Sequence, residues 1–240
     1  MSNTADSQDT PYASLDPDTI LSAVESVGLL PTGSLLALNS YENRVYQIEL
    51  DGGDFVVVKF YRPHRWDKAA LREEHTFTFE LAEAEISVVA PLVIDGESLF
   101  EYAGFWFSIC PRQGGHPPNL ENEDDLEVLA RTIARLHAVG ATQAFAHRPS
   151  LSAQRLGRES ATYLLQHGFI PADIEEAYTT LTDHLLKRIE PLLANMPLIR
   201  LHGDCHMGNV LWRDPTPHFV DFDDCMLGPP VQDLWMLLSG

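Results

Sequence analysis

Asp204 and Asn209 stand five residues apart in His202-Gly203-Asp204-Cys205-His206-Met207-Gly208-Asn209, and Asp221 opens Asp221-Phe222-Asp223-Asp224 twelve residues later. Phosphoryl transfer calls for that set in that order. It needs an acceptor for the proton of the attacking hydroxyl, then a neutral and an anionic oxygen ligand for a hard cation. Asp204 suits the first role, Asn209 the second and Asp221 the third. Between the last two lie β-prone runs at residues 210–213 and 218–221, joined by Asp214-Pro215-Thr216-Pro217, which is turn chemistry. A hairpin there would return Asp221 to the neighbourhood of Asn209. A polar loop of solvated carboxylates would account for an isolated His-x-Asp equally well; three such residues in order around a hairpin favour a site.

The run His-Gly-Asp-x-His-x-x-Asn at 202–209, with Val-Asp-Phe-Asp-Asp at 220–224, resembles the aminoglycoside phosphotransferase and choline kinase group, relatives of protein kinases in which Gly203 stands in place of an arginine. Residues 39–46, 57–66 and 228–238 are similar to one branch of that group, the bacterial stress response kinase A family, whose members are described as serine/threonine protein kinases. The likeness runs from about Leu15 onward. It implies an α+β, two-lobed protein-kinase-like fold, with a small antiparallel β-sheet lobe and a mainly helical lobe. It also implies ATP as phosphoryl donor, Mg2+, and a protein acceptor carrying Ser or Thr, autophosphorylation included. Because the motif is shared across the group, an aminoglycoside, choline-like or homoserine-like hydroxyl is the alternative acceptor. A nucleotide-binding pseudokinase is the reading from a different class.

With 240 residues the chain has room for one or two domains. Its 35 acidic against 16 basic side chains give a formal charge of −19, which argues against nonspecific partnership with nucleic acid or an anionic membrane. Three cysteines, Cys110, Cys205 and Cys225, cannot all pair, and with no signal-like start a reduced, cytoplasmic monomer is expected. No run reaches the length of a membrane span. Cys205 and Cys225 with His202 and His206 fit no usual zinc spacing.

The elements that must position these residues follow in order. Residues 1–14 are polar and read as a disordered tail. Asp16-Pro17 opens a short amphipathic helix that Gly28 stops. Residues 34–50 and 55–61 read as three strands, with Lys59 on the third, the place of the lysine that meets nucleotide phosphates in a kinase. A solvated strand lysine would look the same in isolation. The helix expected over 67–84 turns Leu71, Phe77 and Leu81 inward, and Glu74 with them, so Glu74 is the chosen partner of Lys59 and Glu73 the alternative. In 39–43 the nucleotide loop has no glycine; the resemblance makes Ser40 its phosphate-binding residue, where an ordinary Asx-type turn would serve as well. Residues 88–92, 98–102 and 104–109 are expected to complete the sheet. Residues 111–116 are the candidate hinge, where by position and resemblance the backbone around Cys110 and Gln113 meets adenine.

Residues 15–110 thus form the nucleotide-binding lobe and 117–240 the helical one. Helices are expected at 124–139, with Leu126, Leu129, Ile133 and Leu136 on one face, within 148–168, and from Pro171, where Ile174, Tyr178, Leu181, Leu185 and Ile189 follow helical spacing. His137 reads as a capping or packing residue. A short strand at 198–201 leads into His202, which in the family props the catalytic loop. Asp233, in the closing helix 231–238, is by resemblance the anion that holds that loop's backbone; a first-turn carboxylate favoured by the helix dipole is the simpler account. Family members continue with further helices, so the second lobe is expected to be incomplete.

Overall fold

The structure is a computed structural model and describes residues 11–238. In order these form α1 (Pro17–Glu25), β1 (Pro31–Leu38), β2 (Arg44–Leu50), β3 (Phe55–Phe60), α2 (Lys68–Glu83), β4 (Phe100–Tyr102) and β5 (Phe105–Pro111). There follow α3 (Glu123–Gly140), α4 (Ser160–Gln166), α5 (Glu175–Leu193), β6 (Ile199–Leu201), β7 (Val210–Arg213), β8 (Thr216–Phe219), β9 (Met226–Gly228) and α6 (Val231–Leu238). They divide into two units, an α+β arrangement. One ends at Asn119 and takes in Val210–Val220; the other comprises Leu120–Asn209 and resumes at Asp221. The hinge expected at 111–116 therefore belongs wholly to the first unit, and the hairpin β7–β8 is part of it too.

The first unit is built on a five-stranded sheet ordered β1-β2-β3-β5-β4, with every pair antiparallel. Alternation along β3 sends Val56, Val58 and Phe60 into the core and leaves Lys59 on the opposite face. That core also holds Ile20 and Val24 of α1, Ile48 of β2, and Phe107 and Ile109 of β5. The tail expected through Ser14 lies outside the described residues as far as Thr10. From residue 11 to 14 the chain forms a turn, because Tyr12 stacks on Phe105 at 6.1 Å and its hydroxyl donates to the Glu42 carbonyl at 3.0 Å.

Residues 88–92 do not join the sheet. Pro91 offers no N–H to a ladder, and the backbone of this segment turns to β8, with Phe219 N donating to Ser87 O and Val89 N to Phe219 O, both at 2.9 Å. A single bond from Leu92 N to Ile109 O at 2.7 Å is its link to β5. The second hairpin strand begins at Thr216, two residues early, so that Pro217 sits opposite Trp212 and the turn shrinks to Asp214-Pro215.

In the second unit α3 buries Leu129, Ile133 and Leu136, while Leu126 stays exposed. The helix runs through Gly140 instead of stopping before it. Packing requires glycine there, since a β-carbon would stand 2.1 Å from the Arg200 carbonyl oxygen of β6. The helix expected within 148–168 is α4; a π-helical segment, Ala153–Glu159, precedes it, and Arg148 lies in a loop. In α5, which starts at Glu175 and not at Pro171, Leu186 is the buried residue, whereas Ile174, Leu181, Leu185 and Ile189 remain open among the described residues. Strands β6 and β9 pair antiparallel and bring residue 202 and residue 225 to neighbouring exits.

Candidate active site

The candidate residues fall in two sets, one in each unit. In the first, register places Lys59 between Val45 of β2 and Ser108 of β5. Its Nζ meets Glu74 Oε1 of α2 at 2.7 Å, with the two side chains 12% and 4% exposed. Glu74 is thus within reach of Lys59, as its place on the Phe77–Leu81 face requires. A pair this dry holds its geometry because separating it would strand a buried charge. Ser40 stands half-buried between β1 and β2. That segment is tied down by a residue the sequence did not single out: Asn43 is buried, and its Oδ1 accepts from Arg62 N at 3.1 Å. Cys110 lies on β5 opposite Val57. Gln113 turns its Nε2 to the Gly114 carbonyl at 3.0 Å. The following residues lean on β7, where His116 and Trp212 exchange backbone bonds of 3.2 and 2.7 Å.

The second unit holds Asp204, Asn209 and Asp221. Gly203 precedes the aspartate with φ +87°, and a β-carbon on it would fall 2.0 Å from the Asp224 carbonyl oxygen. Together the two conditions call for glycine, since the close approach leaves no room for any β-carbon. The loop's backbone is fixed by Asp233, fully buried on α6, whose carboxylate accepts from Gly203 N at 2.9 Å and His202 N at 3.2 Å. His137 of α3 approaches the same carboxylate with Nε2 at 2.9 Å, so it is part of the loop's support as well as of the helix end. His202, also buried, accepts from Asp204 N through Nδ1 at 3.3 Å and packs its ring on Phe222 at 4.4 Å.

Asn209 closes the turn Met207–Asn209. Its Nδ2 donates to the Asp204 carbonyl at 2.9 Å and lies 3.4 Å from Asp204 Oδ2. The amide oxygen is left as the acceptor of that side chain. In the hairpin Val210 pairs with Phe219, so the chain enters and leaves it at the same end. Asp221 is exposed in a left-handed conformation, φ 60° and ψ 67°, which aspartate tolerates better than most residues.

Arg148 buttresses the turn that follows. Almost fully buried, it donates from Nη2 to the carbonyls of Phe222 at 3.1 Å and Asp223 at 2.9 Å, and from Nε to Cys225 Sγ at 3.1 Å. Burial, with the Asp233 and Asp204 carboxylates adding to it, pushes the Cys205 thiol far above its usual range; the side chain is buried and packs within the loop. Among the described residues no three His, Cys, Asp or Glu side chains converge as a metal cluster. An amide oxygen and one carboxylate suit magnesium, which takes one or two protein ligands and completes its shell with phosphate oxygens and water. No helix among the described residues is long and apolar enough to cross a membrane.

Residues 34–240 match a family described as "Phosphotransferase enzyme family". Stress response kinase A of Escherichia coli (strain K12) is 40% identical over 230 residues, covering 95% of this chain and 70% of its own. Serine/threonine protein kinase RdoA of Salmonella typhimurium (strain LT2) is 41% identical with the same shares covered. Among solved structures, the amicoumacin kinase hAmiN superimposes with a TM-score of 0.74 at 18% identity, over 92% of this chain and 68% of that one. A microcompartment-associated aminopropanol kinase does so with 0.68 at 19%, over 93% and 74%. These two likenesses concern the fold, an α+β kinase-like one.

Proposed function

Because the chain belongs to the phosphotransferase enzyme family, we propose that it moves the γ-phosphoryl group of ATP, with Mg2+, to a serine or threonine hydroxyl of a protein. The observation that carries the reading is the loop in which Asn209 braces Asp204 by a 2.9 Å hydrogen bond to its backbone carbonyl. The carboxylate on a backbone so held, with its side chain 35% exposed, can accept the proton of an incoming hydroxyl as its oxygen attacks phosphorus.

Asn209 Oδ1 and the Asp221 carboxylate are the groups that would hold magnesium. The metal, when bound, supplies neutralisation of phosphate charge. Lys59, kept in place by Glu74, is the cation for the donor's phosphates, and Ser40 adds a hydroxyl donor in the segment after β1. Backbone groups around Cys110 and Gln113 take the adenine edge. Protein as acceptor rests on the description of the 41% identical relative as a serine/threonine protein kinase.

A second reading has an observation in its favour. The charge of −19 draws cations, and the solved structures of similar fold include an aminopropanol kinase, so an amino alcohol is the alternative acceptor. Transfer from labelled ATP, offered to a generic protein, to the chain itself and to a panel of amino alcohols and aminoglycosides, separates the two. Label on protein supports the first, label on a small molecule the second. Asp221→Ala is expected to weaken magnesium-dependent nucleotide binding at least about tenfold by calorimetry; unchanged affinity would remove Asp221 from the metal site.

A further inference from the structure

Tyr61 and His75 have no task in the reaction above, yet both are buried against Glu74, 3% and 1% exposed. Tyr61 Oη lies 2.8 Å from His75 Nε2, 3.2 Å from Ser108 Oγ and 3.4 Å from Glu74 Oε1. His75 Nδ1 lies 2.8 Å from Ser98 Oγ. Lys59 Nζ, while gripping that same Glu74 oxygen, stands 4.7 Å over the Tyr61 ring.

Four elements converge on this point. Tyr61 follows β3, two residues after Lys59; His75 adjoins Glu74 on α2; Ser108 is the β5 residue paired with Lys59 in the sheet; and Ser98 approaches from the segment before β4. Buried hydroxyl and imidazole groups are costly unless each donor meets an acceptor. One assignment accommodates all of these contacts. Ser98 donates to His75 Nδ1, His75 Nε2–H and the Ser108 hydroxyl donate to Tyr61 Oη, and the Tyr61 hydroxyl donates to Glu74 Oε1. The chain of bonds ends on the carboxylate oxygen that holds Lys59. A glutamate has three side-chain torsions and a lysine four, so each further bond to the carboxylate narrows the geometries in which the pair can meet.

We propose that Tyr61 and His75 are positioning residues that set the orientation of Glu74, and through it the place of the Lys59 ammonium. This rests on reading Lys59 as the phosphate-binding cation. The network does not touch the reacting atoms; it acts through the ion pair.

The test is a double-mutant cycle of Tyr61→Phe and Glu74→Gln on the full chain, read in two ways. One is kcat/KM for ATP. The other is the rate at which acetic anhydride acetylates the Lys59 amine, followed by peptide mass spectrometry. Tyr61→Phe is expected to lower kcat/KM roughly tenfold, the scale of a lost bond to a charged group, and to raise Lys59 acetylation severalfold. In the Glu74→Gln background it should add less than about twofold to either. His75→Leu should resemble Tyr61→Phe, while His75→Gln, which retains an N–H near the Nε2 position, should recover most of the loss.

A packing role alone would lower thermal stability and leave the two readouts of the folded protein flat. Unchanged Lys59 acetylation in Tyr61→Phe, or its full effect persisting beside Glu74→Gln, overturns the proposal. If the parent chain transfers no phosphate, the proposed reaction fails and acetylation decides this inference by itself: protection lost in Tyr61→Phe supports it, protection kept refutes it. Should Tyr61→Phe not fold, Ser98→Ala at the far end of the network takes its place, with a smaller rise in acetylation expected and a flat response overturning it.

Discussion

Asp204→Ala is expected to reduce phosphoryl transfer by about 10²–10⁴-fold, the usual contribution of a positioned general base, while calorimetric affinity for a non-hydrolysable ATP analogue with magnesium stays close to that of the parent chain. The geometry predicts this separation. Asn209 holds the loop through the Asp204 backbone carbonyl at 2.9 Å, and the carboxylate is the more distant contact at 3.4 Å. Truncating the side chain therefore removes the proposed proton acceptor and leaves the turn tied. Because the lost interaction belongs to the transition state, kcat and kcat/KM should fall together. A variant that keeps full turnover would take the base role away from Asp204.

Asp233→Ala is expected to be the most damaging change to stability, on the order of 3–5 kcal/mol, as for other buried charged groups whose partners are left behind. Its carboxylate is fully buried and receives the N–H groups of His202 and Gly203, with His137 at 2.9 Å. Removal leaves two backbone donors with no water to turn to. Urea unfolding reads the loss directly. Asp233→Asn, which keeps one acceptor oxygen, should be milder. A change under about 1 kcal/mol for the alanine variant would show the catalytic loop to be held by other means.

Much of this site was legible in the sequence because its parts are local. Asp204 and Asn209 sit within one turn, the hairpin after them announces itself by its proline-rich turn, and Glu74 could be assigned because Phe77 and Leu81 fix which face of α2 turns inward. The same face carried a further signal. Glu74, His75 and Thr78 share it with Leu71, and polar groups among buried apolar ones mark a bonded network. Arg148 gave no such sign, since it binds backbone carbonyls 74 and 75 residues away, and a carbonyl has no residue signature. His137 and Asp233, 96 residues apart, are equally invisible as a pair. Periodicity misled in α5, where it identified an apolar stripe but could not say what covers it. In residues 88–92 β-propensity suggested a sheet strand, and the bonds to Phe219 prevailed.

The contact of Gly203 with the Asp224 carbonyl joins the loop of the base to the loop that follows Asp221, and Phe222 against His202 together with Arg148 beneath the turn secures the joint. The two loops are separate in sequence but behave mechanically as one casting. A displacement of the loop that carries Asp204 is thereby passed to the turn that follows Asp221, so the position proposed for the base and the position proposed for the metal are set together.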